Sequence, residues 1–364
     1  MQALEDYDEG EGPVPSTAAE GPWETGLTPA DPAPSVSSAG VNTPIRLFAG
    51  SGNEPLAQAV ASRLDLTLAD MHRRQFADGE IHLRCDETVR GTDAYIIQPT
   101  CPPVNDHLVE LLIWIDAVRR ASAQRVTAVI PYYAYARQEK KDLPREPISA
   151  KLIANLLERA GADRIMVMDL HADAIQGFFG LPVDHLTAIH VLARHIAERN
   201  PPSTDIVVVS PDEGRVKMAR RLASLLGTRL AVVYTGNAGE AGGRRSYLAG
   251  EVKDASPVII EDMVTTGRSV LEACDVLIEH GCRPQIRIAA THGVFAGEAL
   301  RHIAERTDVA EILVTDTVPQ PAAQEQPKLS VVSVADLFSA SILRAHYNQS
   351  ISSLFPPAAL SARG

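Results

Sequence analysis

The sequence predicts an α/β protein of two successive units, each a mostly parallel sheet flanked by helices. Three observations predict it. Short apolar, β-branched runs alternate with stretches of helical periodicity from Pro44 onward; the alternation starts afresh near residue 190; and charged, hydroxyl or glycine-rich clusters follow the apolar runs. Continuous apolar strands separated by helices are those of parallel sheets covered on both faces. Ligands of such sheets bind beyond the carboxyl ends of the strands, so the chemistry is sought there.

In the first unit, Ile45 to Ala49 reads as a strand that ends at Gly50-Ser51-Gly52-Asn53. Pro55 to Leu64 has helical spacing, with Leu56, Val60 and Leu64 on one face. Ala94 to Ile97 is a second strand, followed by a long helix through Leu108, Leu111, Leu112 and Ile115. Val126–Ile130 and Arg164–Met168 repeat the theme. In the second unit the strands are Asp205–Val209, Arg229–Val233, Pro257–Ile260, Ile286–Ala290 and Glu311–Thr315, and a helix is expected over Val270–Ile278. Pro319 to Pro327 reads as a surface loop. Val334–Phe338 leads into a helix-like run to Tyr347.

The 364 residues leave room for two ordinary domains. Their 45% hydrophobic and 22% charged content is that of a globular protein. No apolar run approaches the roughly 20 residues that span a bilayer, and the N-terminus lacks a basic segment followed by an apolar one. A net charge of −12 argues against a nucleic-acid backbone as partner. Cys85, Cys101, Cys274 and Cys282 show no metal-ligand spacing and read as reduced thiols. A cytoplasmic protein with no membrane partner is expected. Residues 1–43 hold eight acidic residues, six prolines and no Lys or Arg, so a disordered tail is expected there. It is either a solvated extension or a docking segment around Trp23. The domain boundaries that follow are 44–189 and 190–339, with a C-terminal helix at about 340–364 packing back on the first unit.

Two segments of the first unit carry binding chemistry. One is Phe76-Ala77-Asp78-Gly79-Glu80; the other, the loop Pro131 to Lys141, offers fixed cations, aromatic faces and the amide of Gln138. Such groups suit a triphosphate and a purine ring. Two further clusters are Arg145–Lys151 and Asp169-Leu170-His171-Ala172, the latter followed by Ile175–Phe179. In the second unit, Ser210-Pro211-Asp212-Glu213-Gly214 follows one buried strand and Glu261-Asp262-Met263-Val264-Thr265-Thr266-Gly267-Arg268-Ser269 follows another. A glycine- and hydroxyl-rich turn that opens a helix is a ready cradle for phosphate.

In this order these segments resemble the ribose-phosphate pyrophosphokinase (PRPP synthetase) family over about residues 44 to 345. The resemblance implies two phosphoribosyltransferase-like domains and transfer of the diphosphoryl group of Mg-ATP to the 1-hydroxyl of ribose 5-phosphate, for nucleotide biosynthesis. It implies an ATP site in which Phe76 stacks on adenine and Asp78 and Glu80 contact base and ribose, from a neighbouring subunit of a dimer-based homo-oligomer. Arg137 and Gln138 would hold the nucleotide, and His171 and Asp212 would meet magnesium. Asp212, Glu261, Asp262, Thr266, Gly267 and Ser269 would hold ribose 5-phosphate. The chain departs from the family pattern at Arg215, where a second glycine is usual, at Thr265 for a third aspartate, and at Arg268 for a small residue. Thr235 and Asn237 replace a Lys and an Arg of the mobile loop, with Arg244 and Arg245 as the candidate substitutes. The departures leave an alternative open: a catalytically impaired paralogue that binds nucleotide and regulates or scaffolds an active homologue as a hetero-oligomer. A phosphoribosyltransferase would need neither Phe76–Glu80 nor Arg137–Lys151.

Overall fold

The computed structural model describes residues 43–200, 204–237 and 244–355, with backbone alone at 235–237 and 244–245. The acidic tail up to residue 42, the end of the chain from residue 356 and positions 238–243 lie outside the described residues, as do the side chains of Thr235, Asn237, Arg244 and Arg245.

In the first unit the chain runs β1 (Ile45–Ala49), α1 (Glu54–Arg63), β2 (Met71–Gln75), β3 (Ile81–Cys85), β4 (Asp93–Ile97), α2 (Val104–Arg120), β5 (Arg125–Ile130), α3 (Ser149–Ala160), β6 (Arg164–Met168) and β7 (Val183–Leu186). Five of these strands form a sheet in the order β1-β4-β5-β6-β7, parallel at every pairing. Strands β2 and β3 stand apart as an antiparallel hairpin. The strand residues alternate between two cores. Phe48, Ile96 and Ile130 pack with Trp114 of α2 and Leu157 of α3, whereas Leu47, Tyr95, Val129 and Met166 pack with α1.

The second unit contains α4 (Ile189–Glu198), β8 (Ile206–Ser210), α5 (Val216–Leu226), β9 (Arg229–Asn237), β10 (Arg244–Ala249), β11 (Ser256–Val264), α6 (Arg268–Glu279), β12 (Ile286–Gly293), α7 (Ala299–Ala304), β13 (Val309–Thr315), β14 (Leu329–Val332) and α8 (Ala335–His346). Its seven strands lie in the order β10-β9-β8-β11-β12-β13-β14, with β10 alone antiparallel. Helices α4 and α5 cover one face, and α6 and α7 cover the other. Helix α8 leaves this sheet and packs on α1, with Phe338 and Ile342 entering the core of the first unit. Burial of each such side chain stabilises the fold by about 1.5–3 kcal/mol. A buried polar cluster fixes the same helix: His346 and Arg125 both hydrogen-bond Asp93, which also accepts from Tyr95.

Most elements lie where the apolar runs place them, with shifted ends. The C-terminal helix starts at Ala335 and ends at His346, earlier than expected, and Pro321–Gln324 forms a helical turn inside the expected loop. The chief correction is β11. It does not stop at Ile260 but continues buried to Val264, so Glu261 and Asp262 belong to the strand rather than to the turn beyond it.

The two units are joined by hydrogen bonds. The first turn of α1 is capped by Asn53, whose Oδ1 accepts from the Leu56 N–H and whose Nδ2 donates to the carbonyl of Asp316 at 2.6 Å. Thr291 of β12 donates to Asp169 at 2.6 Å, and the buried His292 ring lies 3.2 Å from the Met168 carbonyl.

Candidate active site

The cleft between the units is assembled at the carboxyl ends of β6, β8 and β11. Beyond β6, Asp169 adopts a left-handed backbone (φ 36°), a strained conformation for a residue with a side chain. Its carboxylate is tied to Thr291 and to the N–H of Ala188. That anchorage turns the chain so that His171 faces the second unit.

Beyond β8, the Asp212 carboxylate accepts the backbone N–H of Arg215 at 3.1 Å and caps a short helical turn that leads into α5. The Arg215 side chain is thereby directed at the end of β11. Its Nε lies 3.2 Å from Asp262 Oδ1 and 3.4 Å from Glu261 Oε2. Its Nη1 donates to the His171 carbonyl at 3.1 Å, and its Nη2 lies 2.9 and 3.2 Å from the two imidazole nitrogens. His171 Nδ1 is 2.7 Å from Asp262 Oδ2. Nδ1–H donates to Asp262, and Arg215 Nη2, close to both ring nitrogens, packs against the imidazole rather than on one lone pair.

The electrostatics follow from burial. Desolvation and then the adjacent Asp262 charge push the Glu261 carboxyl up to about 8. Burial alone would also raise Asp262, but the His171 hydrogen bond and the Arg215 charge outweigh it and hold the group below its ordinary value. The two neighbouring carboxyls are thus pushed apart, with Asp262 carrying the negative charge.

After β11 the chain turns through Thr265, Thr266 and Gly267 into α6. Gly267 is left-handed (φ 74°), and a Cβ there would meet Ile303 Cδ1 at 2.8 Å, so the turn requires glycine. The Thr265 hydroxyl is buried without a hydrogen-bond partner. Ser269 donates to Glu261 at 3.0 Å, while Arg268 turns outward to Glu272 one helical turn on. A cavity of about 150 Å³ opens here, lined by Arg137, His171, Asp212, Arg215, Glu261, Asp262 and the Thr265–Ser269 turn. With hydroxyls, helix N–H groups and two arginines around it, this cavity has the chemistry of an anion cradle. A larger cavity of about 670 Å³ adjoins it across His171 and Arg215.

The sequence-predicted residues fall into two groups. Arg137, His171, Asp212, Glu261, Asp262, Thr266, Gly267 and Ser269 converge on the small cavity. Gln138 does not line it: its side-chain carbonyl accepts from Ser149 at the start of α3 at 2.6 Å. Phe76, Asp78 and Glu80 line neither cavity. They form the turn of the β2–β3 hairpin, where Phe76 N–H donates to the Glu80 carbonyl and the Asp78 carboxylate accepts from Glu80 N–H. The Phe76 ring is 41% exposed, under the Arg74 guanidinium at 4.4 Å. Arg244 and Arg245 open β10, opposite Asn237 and Gly236.

Magnesium was expected at His171 and Asp212. The residues as arranged do not fit a protein-bound ion: His171 Nδ1 is engaged by Asp262 with the Arg215 guanidinium against its ring, an Asp212 oxygen caps the Arg215 turn, and the same guanidinium already lies against Asp262. Among the described residues, no three His, Cys, Asp or Glu side chains gather around a metal position.

Comparison with known proteins decides the family. Residues 45–161 match the model of the N-terminal domain of ribose phosphate pyrophosphokinase, and residues 245–356 match that of the phosphoribosyl synthetase-associated domain. The ribose-phosphate pyrophosphokinase of Rhodopirellula baltica is 45% identical over 312 residues, which cover 85% of this chain and 98% of that protein. The chain belongs to the ribose-phosphate pyrophosphokinase family. It is thus placed among kinase-type transferases that make PRPP. The Thermotoga maritima ribose-phosphate pyrophosphokinase is 44% identical, with 85% of this chain and 98% of that protein covered. The crystal structure of phosphoribosylpyrophosphate synthetase from Mycobacterium smegmatis superposes with a TM-score of 0.79 at 42% identity, over 84% of this chain and all of that one. The α/β architecture read from the alternating runs is therefore that of the family. Within it, the ion pairs of Arg215 are the feature that the sequence did not disclose. An arginine directly after Asp212-Glu213-Gly214 was the available signal.

Proposed function

We propose that this chain transfers the β,γ-diphosphoryl group of Mg-ATP to the 1-hydroxyl of ribose 5-phosphate, giving PRPP and AMP. The observation that carries this reading is the meeting of two differently equipped halves in one cleft. Arg137 and His171 arrive from the first unit, and the carboxylates and phosphate turn of the second unit face them across the 2.7 Å His171–Asp262 contact.

In this reading the Thr265–Ser269 turn binds the 5-phosphate through hydroxyls and backbone N–H groups at the start of α6. Asp212, Glu261 and Asp262 orient the ribose hydroxyls. The 1-hydroxyl attacks the β-phosphorus, the bond between that phosphorus and the α,β-bridging oxygen breaks, and AMP leaves with the electron pair as the hydroxyl proton is released. Magnesium enters as part of the nucleotide substrate. Arg137 places the phosphates, and Arg244 or Arg245 supplies charge to the transferring group. Phe76, Asp78 and Glu80, exposed on their hairpin, complete the adenine site of a neighbouring subunit, which makes the working form an oligomer. Such catalysis is positioning plus electrostatic stabilisation.

One observation favours a second reading. Arg215 already occupies the face of Glu261 and Asp262 from which ribose or a metal would approach. In that reading the chain retains nucleotide binding and regulates an active homologue. AMP release from ATP, measured with purified chain, magnesium and ribose 5-phosphate, separates the two. Sustained release supports the transferase. ATP binding without release, and turnover gained by a Thr265→Asp plus Thr235→Lys variant, overturns it in favour of the second reading.

A further inference from the structure

We infer that Arg215 is a covalently attached counter-cation of the Glu261–Asp262 pair, so that this pocket accepts a sugar phosphate with no divalent ion bound to the protein. The identity of that sugar phosphate as ribose 5-phosphate rests on the function proposed above; the counter-cation does not.

The geometry is that of a built contact. The Arg215 side chain is 13% exposed, between the carboxyl groups of Glu261 and Asp262, which are 6% and 4% exposed. Its Nη1 donates to the His171 carbonyl, its Nε lies at ion-pair distance from both carboxyl groups, and its Nη2 rests against the imidazole. Its root is held by Asp212 at the head of α5. A long side chain fixed at both ends has already lost its rotamer freedom, so little further ordering is needed when a ligand arrives. The guanidinium also stays charged throughout the physiological range.

A divalent ion would compete poorly for the same carboxylates. Magnesium requires oxygen ligands at about 2.0–2.1 Å in near-octahedral array. Asp262 is engaged on both oxygens, by Arg215 and His171, and a fixed positive charge stands beside it. Placing an ion there means displacing the guanidinium or enduring like-charge repulsion at close range. The anion side of the pocket, by contrast, is open. The Thr265 hydroxyl is buried and unpartnered beside the α6 N-terminus, and Arg137 lines the same cavity. A phosphate monoester oxygen would satisfy that hydroxyl. The pocket therefore contains a cation, an anion cradle and sugar-facing carboxylates without recruiting a metal.

The test uses the full chain without nucleotide. Manganese binding, read by electron paramagnetic resonance, is expected to show no pocket-bound ion in the wild type and one ion per chain in Arg215→Gly. Calorimetric binding of ribose 5-phosphate is expected to be the same, within about twofold, in EDTA and in magnesium. In Arg215→Gly it should weaken at least about tenfold in EDTA, as expected when one charged partner is lost, and recover with magnesium. A wild-type manganese site abolished by Asp262→Asn, or wild-type sugar-phosphate binding that requires magnesium, overturns the inference. If the wild type binds neither manganese nor ribose 5-phosphate, the assigned substrate fails while the counter-cation stands. Should Arg215→Gly not fold, Arg215→Lys, which keeps charge but not the planar fork, is expected to bind the sugar phosphate more weakly, and the wild-type manganese spectrum still decides.

Discussion

Replacing Gly267 by alanine perturbs the phosphate turn at a single atom, and its cost can be worked out from the structure. The residue is left-handed at φ 74°, which for an L-side chain costs about 1–2 kcal/mol. The new Cβ would lie 2.8 Å from Ile303 Cδ1 and 3.3 Å from Cγ1, and Ile303 is fully buried in the α6–α7 core. Forcing a methyl group into such a core adds about 1–3 kcal/mol. The sum, about 2–5 kcal/mol, corresponds to a fall in Tm of roughly 3–7 °C for a chain of this size. Scanning fluorimetry measures it, and calorimetry with ribose 5-phosphate should show weaker binding because the turn carries the donor N–H groups. Ile303→Val removes the offending Cδ1. In that background the alanine should cost about 1 kcal/mol less, an interaction energy that a double-mutant cycle reads directly. A Tm within about 1 °C of wild type, or an unchanged cost in the valine background, would refute the assignment of the penalty to this turn.

Three more outcomes follow from buried charges. Asp93 is held below its ordinary value because hydrogen bonds from His346 and Arg125 outweigh its burial. Its contribution to stability is therefore fully present above the unfolded carboxylate pKa of about 3.9 and is lost as pH falls through the lower folded value. Asp93→Asn should lose about 3 kcal/mol at neutral pH, as for a broken buried pair, and its urea midpoint should then be flatter than that of the wild type below pH 4. Glu261 has the opposite sign: with its folded pKa raised to about 8, stability is present below the unfolded value of 4.5 and declines as pH rises through about 8. Glu261→Gln should flatten Tm over that window, and an unchanged profile would contradict the shift. Glu110, buried in α2, accepts from the Ser51 N–H at 2.8 Å and from Arg73 of the hairpin at 2.9 Å. Glu110→Gln should speed hydrogen exchange of the β2–β3 amides about tenfold, a loss of about 1.4 kcal/mol of local stability, and raise the KM for ATP.

What the sequence disclosed depended on where each element finds its partners. Strands β1 and β6 occupy the same residues that their apolar runs mark, because both faces of the sheet are covered by helices and their central positions are buried. The β2–β3 hairpin was invisible as structure. Its Met-His-Arg-Arg-Gln strand is almost wholly exposed, and in Ile-His-Leu-Arg-Cys the apolar alternation is only three half-buried residues long. Strand β10 begins Arg-Arg-Ser and read as loop, since an antiparallel edge needs only one neighbour. The end of β11 was missed for a different reason. Glu and Asp end an apolar run in the sequence, yet they remain inside the buried strand because Arg215 and His171 supply charge and hydrogen bonds. Those partners lie 47 and 91 residues from Asp262 in the chain, beyond the reach of any local pattern.

The same long-range pairing bears on turnover. A metal that arrives with substrate can strengthen its contacts as charge develops and can leave with product. A guanidinium attached to the chain does neither: it neutralises Asp262 before, during and after transfer. Stabilisation that is equal in ground and transition states lowers KM without raising kcat. The Thr265 hydroxyl, where the family pattern has a carboxylate, can donate to a phosphate but cannot carry the negative charge that would hold a metal or a ribose hydroxyl. Both replacements act in one direction, toward tight and metal-indifferent holding of the sugar phosphate. With Thr235 and Asn237 left as they are, Arg215→Gly with Thr265→Asp should raise kcat while making the KM for ribose 5-phosphate depend on magnesium. A double variant with unchanged kcat would place the limit on catalysis elsewhere than in this charge pattern.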